Sequence, residues 1–117
     1  MIKTFKFDYD YKNDSLFIYN PDSKSKSSIE MDDLIIDYNK NKELVAIEIL
    51  NATTLFKNIS NFKITKAKLK HLTNCNVEII KKNQYFIIKL ELTLNNDEKL
   101  LTPMILPTII DKSPALT

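Results

Sequence analysis

Five acidic residues offer the first chance of chemistry: Asp8, Asp10, Asp14, Asp37 and Glu48. Asp37 and Glu48 fall on the two strands of a predicted hairpin, as diagonal neighbours on one face. Two carboxylates within reach of each other are what acid–base catalysis or a divalent cation requires. Asp10 and Asp14 instead bracket the loop Asp10-Tyr11-Lys12-Asn13-Asp14, where Asx side chains bond nearby backbone N–H groups and fix a turn. That role is sufficient for them, and Asp37 and Glu48 also fit a solvated face. No catalytic residue and no metal ligand is assigned. Asp10, Asp14, Asp37, Glu48 and Asn51 are read as motif residues with structural roles.

His71 and Cys75 stand four apart and would share a face if one helix carried both. A structural zinc site needs three or four ligands, and the chain has no other Cys or His. Cys75 is therefore expected to be a reduced, small core or near-surface side chain.

The cations are more suggestive. All 17 basic residues are lysine. Residues 1–50 are net acidic and residues 51–117 net basic, with seven lysines and one acid between Lys57 and Lys82. Lys57, Lys63, Lys66, Lys68 and Lys70 form a candidate phosphate-backbone patch. Against it, arginine, the usual reader of guanine edges, is absent, and the whole chain carries only +2. The abundance of Lys, Asn and Ile also fits an AT-rich coding sequence. No glycine occurs, so glycine-rich phosphate loops in their usual forms are excluded. Turn positions with positive φ must go to Asn or Asp.

The elements that position these residues follow from periodicity. Strands are predicted at Lys3 to Tyr9, Ser15 to Tyr19 and Ile29 to Met31. A hairpin follows, Leu34 to Tyr38 with Leu44 to Leu50. Pairing 38 with 45, 36 with 47 and 34 with 49 keeps the aliphatic residues on one face and leaves Asn41-Lys42 as a type I′ turn, with Asn41 at positive φ. Asn51 is expected to cap a helix to about Lys57, and Thr65 a second one to Leu72, with Ile64 stapled to Leu69 and Asn74 as terminator. Strands return at Val77 to Lys82, Tyr85 to Leu94 and Lys99 to Leu106. Pro103 places the last of them at a sheet edge. The expected fold class is α+β: seven or eight strands, mainly antiparallel hairpins, with two short helices in one domain over residues 1–107. Residues 108–117 are expected to form a loose tail. A domain of this size buries roughly 65% of its unfolded surface, so neither disulfide nor metal is required.

Two stretches bear a family resemblance. Residues 9–18, YDYKNDSLFI, resemble a Y-D-x-x-x-D-x-L-Y-I pattern. Residues 36–53, IDYNKNKELVAIEILNAT, resemble I-V-D-Y-D-x-D-G-x-L-V-G-I-E-I-L-N-A-S. Together they resemble the domain of unknown function 2283 family over about residues 5 to 56, and residues 57–107 resemble a C-terminal β extension of longer relatives. Asn39, Lys42 and Ala46 depart from the pattern's Asp, Gly and Gly. The resemblance implies a small intracellular prokaryotic protein without an established activity. Relatives encoded beside toxin-like proteins imply, by analogy, antitoxin-like binding.

The function expected is thus a non-enzymatic, cytoplasmic protein-interaction module without cofactor, binding a protein partner or a second copy through an edge strand. The alternative is a nucleic-acid-associated protein using the lysine patch. No apolar run is long enough to span a membrane, and the amphipathic start at Lys3 to Tyr9 is unlike a signal peptide.

Overall fold

The computed structural model describes residues 2–60 and 64–107. Lys63 of the lysine patch and the tail 108–117 lie outside them. Eight strands form one antiparallel sheet: β1 Ile2–Asp10, β2 Ser15–Tyr19, β3 Ser27–Met31, β4 Leu34–Tyr38, β5 Leu44–Ile49, β6 Leu72–Lys81, β7 Tyr85–Leu94 and β8 Lys99–Pro107. Two helices, α1 Ala52–Ser60 and α2 Lys66–Leu69, interrupt them. The order across the sheet is β3-β4-β5-β2-β1-β6-β7-β8. The expected antiparallel sheet with two short helices is present. With helices of nine and four residues, the molecule is mostly β rather than an even α+β mixture, and the sheet curls into a half-barrel.

Strand β1 joins the halves. Its residues Lys6 to Asp10 pair with β2, and Ile2 to Phe5 pair with β6. The inner face is mainly apolar: Phe5, Leu16, Ile18, Ile36, Ile47, Ile49, Val77 and Leu90 are all buried, with Thr102 of β8 a buried polar residue among them. Helix α1 closes it by inserting Ala52 and Phe56 into the same core. Those positions, with Leu55 partly buried and Ile59 at the rim, follow the i, i+3, i+4, i+7 spacing of an amphipathic helix. The curl brings Tyr38 of β4 onto Phe86 of β7, with four strands between them in the sheet and ring centroids 6.0 Å apart.

The hairpin Leu34–Ile49 pairs 34 with 49 and 36 with 47, as its alternation requires. Its turn end differs from the expectation. Tyr38 faces Leu44 across a register shift, so Val45 is not its partner. The positive φ falls on Lys42 (63°) and not on Asn41. Asn39 causes this. Its Oδ1 accepts the N–H groups of Asn41 and Glu43, and its carbonyl accepts Lys42 N–H at 3.0 Å. That is a three-residue loop in which a type I turn precedes a left-handed residue. The other positive-φ positions are Asp14, Asp32, Asn51 and Asp97, which are the residue types expected in a chain without glycine.

Two helix expectations also change. Asn51 has φ 49° and turns its side-chain amide to Asp33, 3.4 Å away, so it does not cap α1 through its side chain. Thr65 does cap α2 by accepting Lys68 N–H at 3.2 Å, with Ile64 and Leu69 buried as the staple requires. However, α2 ends at Leu69, and Asn74, expected to terminate it, lies inside β6 just past a bulge. The inward-alternating Leu72, Cys75 and Val77 outweigh the local helical tendency there.

Lys42→Gly removes the Cβ from a left-handed residue. It is expected to raise unfolding stability by about 0.5–1 kcal/mol, read as a higher denaturant midpoint with an unchanged slope.

Candidate functional site

Asp14 is the most connected of the motif acids. It is buried, at 7% exposure, beneath the start of α1. Its carboxylate accepts the Thr53 N–H at 3.2 Å, the Thr53 hydroxyl at 2.6 Å and the Tyr9 hydroxyl at 2.6 Å. Its carbonyl accepts Ala52 N–H at 2.8 Å. The helix is thus capped from the β1–β2 turn, 39 residues earlier in sequence. Negative charge at a helix N-terminus is favourable, and the backbone donors there need acceptors. Burial, and then the hydrogen bond to Asp14, push the Tyr9 phenol well above its ordinary value. These contacts account for Tyr9, Asp14, Ala52 and Thr53 without catalysis.

The other acids do not converge on Asp14. Asp10 makes the expected turn: its carboxylate accepts Asn13 N–H at 3.1 Å and the Asn13 amide at 2.7 Å, which lowers its pKa. Asp8 is exposed on β1. Asp37 and Glu48 are diagonal neighbours on the outer face, as the alternation predicts. Ser28 donates to Asp37, and Ser15 Oγ stands 3.4 Å from Glu48. Neither acid lines the end cleft described below. Among the described residues no three His, Cys, Asp or Glu side chains are grouped to hold a metal ion.

One helix does not carry both His71 and Cys75. His71 follows the end of α2 and is exposed, whereas Cys75 lies in β6, fully buried with a free thiol. Burial pushes that thiol up to about 12.

The lysine patch divides. Lys66 and Lys70 direct their ammonium groups over the Tyr11 ring, 5.8 and 4.7 Å from its centroid. Lys68 between them turns to Glu98, at 3.9 Å. Lys57 is exposed in the last turn of α1.

Two surfaces that sequence reasoning missed are more distinctive. One is a cleft of about 690 Å³ at one end of the half-barrel, between the Asn39–Glu43 turn and strands β1, β6 and β7. The other is an apolar strip on the outer face of the C-terminal half. There Ile80 of β6, Ile87 of β7 and Ile105 of β8 are cross-strand partners, and Ile2 of β1 lies diagonal to Ile80. Ile2 is 66% exposed, Leu101 60% and Ile105 70%. The alternation in β8 did carry part of this signal, since Leu101 and Ile105 fall on its outward positions, whereas β7 turns Lys89, Glu91 and Thr93 outward beside Ile87.

Comparison with known proteins agrees with the motif reading. A family model described as "Protein of unknown function (DUF2283)" matches residues 6–52. An uncharacterized protein of Methanocaldococcus jannaschii, MJ0789, is 45% identical over 65 residues, covering 56% of this chain and 55% of that protein. A Methanosarcina mazei protein named putative hypoxanthine phosphoribosyltransferase is 30% identical over 95 residues, covering 81% of this chain and 72% of that protein. The chain therefore spans only about half of the M. jannaschii protein. No solved structure matches it.

Cys75 and Tyr38 are both favoured in their neutral forms. The folded thiol keeps its proton to about 12 against an ordinary 9.0, and the phenol to about 12 against 10.0. The folded state then binds more protons than the unfolded state between pH 9 and 12. Stability is expected to fall as pH rises through that window, read as a declining melting temperature. At pH 8, Cys75 should react with a disulfide reagent only at the rate of unfolding. The chain belongs to the DUF2283 family.

Proposed function

We propose that this chain is a cytoplasmic, non-enzymatic protein-interaction module that pairs with a second copy of itself through the outer face of its C-terminal half. The observation that carries this reading is the outer strip in which Ile2, Leu101 and Ile105 are exposed and Ile80 and Ile87, half-buried, lie between Ile2 and Ile105. Contiguous exposed apolar side chains mark interaction surfaces when they gather on one face. The outer face of the N-terminal half differs: it sets Asp8 and Glu48 on either side of Phe17, which stacks on Tyr19, with Asp37 nearby.

Strand β8 lies at the sheet edge, where Pro103 was expected to place it. Pro103 also removes a donor from that edge, and such a proline blunts strand-to-strand addition. Pairing by face, sheet against sheet, fits better than pairing by edge. The charges within the strip are matched: Lys89 and Glu78 stand 4.0 Å apart. A neutral apolar surface selects neither a strongly basic nor a strongly acidic partner, and an identical strip matches it in polarity. Isologous pairing about a two-fold axis is the commonest form of self-association. An antitoxin-like member would use the same strip to hold a different protein. Among the described residues no helix is long and apolar enough to cross a membrane.

Light scattering coupled to size-exclusion chromatography is expected to give twice the 13.6 kDa chain mass. Ile105→Lys should return the chain to a folded monomer whose melting temperature no longer depends on protein concentration. A wild-type monomer at high micromolar concentration, or an Ile105→Lys dimer, would contradict the proposal.

A further inference from the structure

The end cleft has a cause in the topology. Strand β2 stops opposite Lys6, and the chain then departs through Asn20 to Ser23. Lys3 to Phe5 continue in β1 and pair with β6 only. Among the described residues no strand pairs with their other side, and the cleft opens there. Its far wall is the Asn39–Glu43 turn, tied to the departing loop by the Asn39 amide, which donates to Ser23 Oγ at 3.1 Å.

The cleft is amphipathic. Phe5, Leu44, Ile79 and Phe86 supply an apolar floor, and Phe86 is held by its stack on Tyr38. Lys3, Lys42 and Lys81 stand at its walls, against the acids Asp22 and Glu43. Glu43 accepts from the Asn39 amide at 3.1 Å and keeps its charge, so the three lysines exceed the two acids by one. A volume of about 690 Å³ is that of a small-molecule site, where an apolar lining supplies affinity and a few charged groups fix orientation.

Lys42 supplies an independent observation. It holds φ 63°, a conformation that every other positive-φ position in the described chain gives to Asp or Asn. A codon bias that favours Lys favours Asn equally, so composition does not account for lysine here. Strained backbone of this kind gathers at binding sites, where the surroundings over-determine it. The strain sets an ammonium in the wall of the cleft.

We propose that this cleft binds a small amphipathic anion, with its apolar body on Phe5, Leu44, Ile79 and Phe86 and its anionic group among Lys3, Lys42 and Lys81. Carboxylate and phosphate share the chemistry required. The site is separate from the outer strip, which lies on the opposite face of the sheet.

The test uses anilinonaphthalene sulfonate, an aromatic body with one anionic group, titrated into the full chain at low salt by fluorescence. Saturable binding at one site per chain is expected. Lys42→Asn keeps a residue suited to positive φ but removes the ammonium. It should weaken binding about tenfold or more while the melting temperature holds or rises. Ile105→Lys, on the outer strip, should leave binding unchanged. Displacement by decanoate assigns a carboxylate ligand, and displacement by adenosine monophosphate assigns a phosphate. Three results would overturn the proposal: undiminished binding in Lys42→Asn, loss of binding in Ile105→Lys, or no displacement by either competitor.

Discussion

A buried carboxylate contacting the first turn of a helix is the constraint on which this fold rests. Asp14 accepts from Thr53 and Tyr9 and takes the Ala52 N–H on its carbonyl. Through it, the first hairpin fixes where α1 begins. The helix in turn places Ala52 and Phe56 over the inner face of a sheet that does not close on itself. An isolated nine-residue helix is marginal in water, so its start is set by tertiary contacts. Burying a carboxylate is unfavourable unless donors surround it, and here three distinct donor groups do. The two family motifs, far apart in sequence, meet at this contact. It gives them a structural reason for their residue types.

The sharing of β1 between two partners has wider consequences. Because its halves pair with different strands, the sheet splays at one end, and the cleft forms between the turn at Lys42 and the C-terminal strands. The same arrangement separates the two outer faces. One is acidic, around Asp37 and Glu48, and the other apolar, around Ile87 and Ile105. A single pairing choice thus produces both surfaces to which a binding role is assigned.

The hairpins were legible in the sequence because their alternation and turn residues are local. Ser15–Tyr19 and Tyr85–Leu94 fall where the pattern places them. The joins of β2 to β5 and of β1 to β6 were not legible, since they connect segments far apart by packing alone. Asn51 looked like a cap because its type and position suit one. What could not be read was that Asp14 reaches the same N-terminus from outside the helix. Asn74 looked like a terminator only while its strand-period neighbours Leu72, Cys75 and Val77 were left out of account. Of the candidate sites, the motif acids were found by type and spacing. The cleft was not, because Lys3, Lys42 and Lys81 come together only through the splay.

The most direct measurement is a double-mutant cycle between Asp14→Ala and Thr53→Ala by chemical denaturation. Each change should destabilise the chain, and the two should be coupled by about 1–2 kcal/mol, as expected for charge-assisted capping contacts of a buried carboxylate. Additive losses, with coupling near zero, would contradict the account that this clamp sets the fold.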